Sequence, residues 1–448
     1  MSEPATARNH PARLHRNHNY LWWLASDTGT AFGTALQSFA IPLLALYVTG
    51  SPAQAGIVAA IGQVGRVVAI LPGGVLADRH DRRMLMLAGG ALGLAVAGAM
   101  AGLQVAGLLD VWLLAGLNLL LNIRNGLFGS VSNAALKDVV STPQIAPAMA
   151  ANQGRDAAVS LAGGPAGGGL MALGHALPLA AVAASHAVAL VGALAIKADL
   201  RPRQDGATAA PLGDAATPRH SSAAAMVRGY VGEATEGLKW IFRRPELRGV
   251  MLISTVLNLG VNSAVTSVVF GLQQRGESPA AIGLVSAALG AGILLGSLVA
   301  PLLVKRVRTG TLAVCGLLLV AGGVAFLPFV PELPGLLAVL ALMVFAAPSI
   351  NAGLLGYFMA AVPSPLLGRA SSAMDLLALG AVPLAPLIAG FGYAVLGWSG
   401  VLLVCAGLCA AAALLAAANR RLRSLPGPGD WEDHAAEMSA EAAATVRI

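Results

Sequence analysis

The chain has 448 residues, 56% of them hydrophobic and only 11% charged, with a formal charge of +7 and a mean hydropathy of +0.74. A water-soluble domain cannot hide this much apolar surface, and disorder requires low hydrophobicity. The 54 glycines follow no three-residue period, which excludes collagen. A multi-span membrane chain is left, and at ~20 apolar residues per crossing the length allows about a dozen spans.

Residues 1–19 form a polar tail with Arg8, Arg13 and Arg16. The apolar run at 20–48 exceeds the ~7–15 residues of a signal-peptide core, so it reads as span one. Further apolar helices are expected at 53–77, 84–107, 111–136, 146–173 and 177–197, completing a first bundle over 20–198. The polar stretch 199–247 is a linker. Its end, 227–242, has the pattern of an amphipathic surface helix or a solvated connector. Six more spans are expected at 249–271, 280–304, 310–330, 335–361, 367–394 and 398–418, a second bundle over 248–419. The tail 420–448 follows, and its stretch from Pro426 to Asp433 reads as linker. The expected fold is an all-α membrane protein of twelve transmembrane helices in two six-helix bundles.

Charge sets the orientation. With the N-terminus inside, the inner segments hold Arg79, Arg82, Arg83, Lys137, Lys305, Arg306, Arg308, Arg369, both tails' arginines and the basic linker. The outer loops hold Arg275 alone. The positive-inside rule then places both termini in the cytoplasm and the chain in the plasma membrane. It accounts for the basic charge without nucleic acid.

The halves repeat. Ser51-Pro52-Ala53-Gln54-Ala55-Gly56-Ile57-Val58-Ala59-Ala60 matches Ser278-Pro279-Ala280-Ala281-Ile282-Gly283-Leu284-Val285-Ser286-Ala287 at six of ten positions. Two repeated six-span halves are a transporter architecture, with a small-molecule site between them near the bilayer midplane.

The stretch Gly74-Val75-Leu76-Ala77-Asp78-Arg79-His80-Asp81-Arg82-Arg83 joins spans two and three. Gly73 and Gly74 are expected to let this helix end approach a neighbour closely. The stretch resembles the signature loop of the major facilitator superfamily. The resemblance implies the two-bundle fold and a cytoplasmic latch. In that latch Asp78 meets the start of span eleven near Gly368 and Arg369, and Arg82 or Arg83 pairs with Asp138. Gly163-Gly164-Pro165-Ala166-Gly167-Gly168-Gly169 in span five resembles the antiporter motif of drug-exporting members, with Ser160 in place of its upstream glycine. Gly164, Pro165, Gly168 and Gly169 carry that match. With the segments 46–52, 236–245 and 368–372, the chain is similar to the branch holding the enterobactin exporter and transmembrane secretion effectors.

Charges inside a membrane are costly and mark function by default. Asp27, Arg66, Arg124, Arg155, Asp156 and Asp375 lie within spans. So do Asn118, Asn122 and Asn125, and Asn258 and Asn262 share a face of span seven. In this superfamily spans one, four, seven and ten line the cavity, so these residues are expected to surround it. Asp27 or Asp156 is a candidate proton carrier. Permanent pairs Arg124–Asp156 or Arg66–Asp27 are the structural alternative, and Arg155 is expected to face away from its neighbour Asp156. His175 and His186 read as polar interface or packing residues rather than ligands.

No nucleophile elbow, zinc-protease motif or phosphate loop occurs, so an enzyme is not expected. Neither is a metal or other cofactor, and protons are the expected coupling ion. The reading is an exporter of a siderophore, antibiotic or other small organic molecule, working in the lipid bilayer as a monomer. An importer or facilitator of the same superfamily, or a non-transporting sensor or assembly partner, is the alternative.

Overall fold

The computed structural model describes residues 14–201, 245–361, 380–431 and 433–434. Among the described residues the fold is helical, with ten helices long and apolar enough to cross a membrane. Span one is His18–Thr49, capped by Asn17, whose side chain accepts from the Tyr20 amide, and ended by Gly50 at a left-handed φ of 62°. Ser51 and Ser278 cap the repeated spans two (Pro52–Arg79) and eight (Pro279–Arg306), each with proline in the first turn. Both halves thus start the repeat with the same cap. Spans three (Arg82–Val105), five (Thr142–Leu173), six (Leu177–Ala195), seven (Pro245–Gln274) and nine (Thr309–Phe326) are single helices.

Two expected spans are broken. Span four is Val111–Phe128 followed by Val131–Val139. Span ten is Leu333–Phe345 followed by Ala347–Ala361. In Leu384–Ala418 a non-helical Gly397 at φ 67° separates the end of span eleven from span twelve. The start of span eleven, with Gly368, Arg369 and Asp375, lies outside the described residues, as does the expected surface helix at 227–242.

The halves meet along two glycine seams. A Cβ on Gly56 would strike the Pro386 carbonyl, and one on Gly390 the Pro52 carbonyl. In the other seam a Cβ on Gly283 would strike the Gly164 carbonyl, and one on Gly168 the Pro279 carbonyl. Span two thus crosses span eleven as span eight crosses span five, through corresponding positions of the repeat. Gln273 adds a side-chain hydrogen bond to the Leu43 carbonyl (3.1 Å). This hydrogen bond and these glycine contacts lie toward the end that bears Gly50 and Ser51, and Gly290 meets Leu161 further along the second seam, near its middle.

The C-terminal tail departs from its linker reading. Leu422 and Leu425 are buried. The Thr309 and Gly310 amides donate to the Pro426 and Leu425 carbonyls. Trp431 donates its indole N–H to Thr309 Oγ1 (3.1 Å) and the Pro426 carbonyl (3.2 Å), and its ring fills the space beside Gly356. Tyr357 hydroxyl lies 3.0 Å from His434 Nδ1. The tail therefore straps the ends of spans nine and ten.

Candidate transport site and latch

The polar residues of the first half form two groups. In the first, Arg155 of span five pairs with Asp27 of span one (2.5 Å) and with Asp156 (2.7 Å). Arg155 and Asp27 side chains are 14% and 13% exposed, Asp156 57%. The Asp27 contact is an ion pair, not an aligned hydrogen bond, since that guanidinium nitrogen has no directed partner. This corrects two expectations. Neither Arg124–Asp156 nor Arg66–Asp27 is among the ion pairs of the described residues, and Arg155 does reach Asp156. The long guanidinium arm folds sideways and bridges neighbours whose Cβ atoms diverge.

The second group centres on span four. Asn118 donates to the Val58 carbonyl (2.9 Å), and Asn122 donates to Asn118. Gly62 makes room for both, since a Cβ there would strike their amide nitrogens. Arg124, 3% exposed, donates to the Gly89 carbonyl (2.8 Å) and to Asn125 Oδ1 (2.9 Å). Asn125 passes the chain on to buried Gln37 of span one (3.1 Å). Beside them His186 is fully buried, without a hydrogen-bond partner, in a slot between Gly33 and Gly93. The packing reading of His186 fits this slot. His175 stacks on Tyr47, centroids 3.8 Å apart. Gln37 was missed in the sequence, although a glutamine inside an apolar span is a visible signal.

Arg66 is exposed. Around span two, Gly62, Gly65 and Gly73 face span four, while Pro52 and Gly56 face span eleven. Arg66 falls between these sets. On the opposite side is an apolar crevice of about 670 Å³, walled by Ile57, Val64, Val68, Leu119, Ile123 and Leu387. Arg66 therefore faces the interior. On span seven Gly260 packs on Cys405 and Cys409, so exposed Asn258 and Asn262, on its opposite side, face inward too. Asn262 donates to the Asn258 carbonyl (2.8 Å).

At the arginine-rich end, Arg82 pairs with Asp138. Arg83 instead donates to the Ala193 (3.3 Å) and Leu194 (2.7 Å) carbonyls, where a cation suits the C-terminus of span six. Gly73 packs on Gly126 and Leu127, as expected, but Gly74 has open space around it. Close approach thus belongs to Gly73 alone. Arg79 has a polar or ionic partner as well. Gly164 and Gly168 lie in the seam with span eight, whereas a Cβ on Gly169 would meet nothing within 4 Å.

The family model of the Major Facilitator Superfamily matches residues 28–374, and again 250–444. The chain belongs to the major facilitator superfamily. Membership makes it a multi-pass membrane transporter of small molecules, not an enzyme. No curated protein sequence is significantly similar to it. Among solved structures, the nucleoside transporter NupG aligns with a TM-score of 0.64 at 13% identity, over 89% of this chain and 99% of that one. A bacterial homologue of the iron transporter ferroportin, in an inward-facing state, gives 0.63 at 16%, over 90% and 98%. A D-xylose–proton symporter gives 0.59 at 15%, over 88% and 96%. At these identities the likeness is one of fold.

Proposed function

We propose that this superfamily member exports a small organic molecule across the plasma membrane in exchange for protons, by alternating access. The observation that carries the reading is the place of the span-five glycines. Gly164 and Gly168 of the antiporter-like motif let span five seat directly on the first turns of span eight. A motif in that seam controls how tightly one end closes. The positive-inside rule makes the seamed end the outer one and puts both termini in the cytoplasm. The described conformation is then shut toward the outside. A single chain contains both halves, so a monomer suffices.

Asp27 is the leading proton carrier. Arg155 pairs with it in the described conformation, and a step of the cycle that separates the two would free the carboxylate for proton exchange. Asp156, more exposed, is the second candidate. Asp375 lies outside the described residues.

Direction of flux tests export. Inside-out vesicles with an acidic lumen should accumulate the cargo, and right-side-out vesicles with an acidic exterior should not. Net uptake into right-side-out vesicles driven by external acid would instead establish an importer, the direction that a proton symporter of this fold represents.

A further inference from the structure

The charge balance of the interior narrows the cargo. Among the described spans, charged side chains away from the ends lie in the first half, and they are three arginines and two aspartates. Both aspartates are engaged by Arg155. Arg124 binds neutral oxygens only, those of Gly89 and Asn125. Arg66 is exposed and, among the described residues, stands in no hydrogen bond or ion pair. These two cations share one depth, since the Arg66 carbonyl lies against Gly126. Asn122 and Asn125, both partly exposed, present amides there. Across the interior, among the described residues, Asn258 and Asn262 add neutral polar groups and no charge.

An arginine held at mid-membrane without a carboxylate is costly. Low-dielectric walls also focus its field on whatever enters. The guanidinium fork matches an oxyanion in two parallel hydrogen bonds. We infer that Arg66, with Asn122 and Asn125 beside it and Arg124 behind, is the binding site for the acidic group of the substrate. The cargo is an organic anion bearing a carboxylate or similar oxyanion. Arg66 touches it directly, and Arg124 supplies field from behind the wall. This inference rests on the transporter reading but on neither direction nor coupling.

The test uses the full chain in liposomes without any gradient. Cys315, Cys405 and Cys409 are replaced by alanine, and Asn122→Cys supplies one thiol. Its reaction rate is measured with anionic sulfonatoethyl methanethiosulfonate, itself a small organic anion, and with the cationic trimethylammonioethyl analogue. Each rate is normalised to a free thiol. The anion-to-cation ratio should exceed unity by about tenfold, fall several-fold in Arg66→Gln and persist in Arg66→Lys. Gly429→Cys in the exposed tail should give a ratio that Arg66→Gln leaves alone, and an unshifted thermal melt in detergent reports that the variant is folded. A ratio at or below unity at Asn122→Cys, or one that Arg66→Gln does not move, overturns the assignment. If export fails in vesicles while the ratio stands, the export reading alone is lost.

Discussion

Gly283 and Gly74 both sit in long spans, yet the same added methyl has opposite consequences at the two. At Gly283 it meets the Gly164 carbonyl and the Pro165 backbone, and at Gly74 it meets nothing. Gly283→Ala should destabilise the protein by about 1–3 kcal/mol through overpacking. Gly74→Ala should be neutral or stabilise by about 0.5–1 kcal/mol through helix propensity. Thermal melting in detergent separates them, and equal melting points would contradict the tight seam. The ion triad gives a second contrast. Arg155→Gln strands Asp27 without its cation and should cost up to about 3 kcal/mol. Adding Asp27→Asn should recover much of that loss, a coupling that a double-mutant cycle measures. The sequence exposes each of these side chains as polar residues in apolar runs. It does not expose the pairing, because periodicity gives a face and not the neighbour across it. Hence Asp27 was set beside Arg66 as the structural alternative, and its pairing with Arg155, distant in the chain, was not foreseen.

Among the elements, the C-terminal strap was the least legible. Pro426, Gly427, Pro428 and Gly429 carry no helical or strand period, so the stretch reads as linker. Its docking is decided by one indole and by tertiary partners on spans nine and ten. Trp431→Ala should cost about 2 kcal/mol, roughly half a fully buried tryptophan. It should also open the chain to trypsin at Arg420–Arg423, and unchanged cleavage there would show that the strap does not hold this helix. The breaks in spans four and ten were equally hidden, because apolar composition continues across them. The Gly397 turn was readable as the gap between two apolar runs.

For the whole molecule, the sequence carried the architecture furthest. Span number, the two halves and the offset repeat were all visible, because a bilayer forces long apolar helices and leaves loops little freedom. The repeat also has a structural meaning that its letters do not reveal. Pro52 and Gly56 form one seam, and their counterparts Pro279 and Gly283 form the other. A transporter hinged on both seams can exchange an outer closure for an inner one by rocking its halves. The most direct measurement of the account is proton flux in inside-out vesicles. A respiration-driven pH gradient is challenged with a panel of siderophores and antibiotics, with Asp27→Asn and Asp156→Asn alongside. The account predicts compound-dependent collapse of the gradient, lost in Asp27→Asn. Transport of a panel compound that leaves the gradient intact, or collapse that survives both aspartate substitutions, would contradict it.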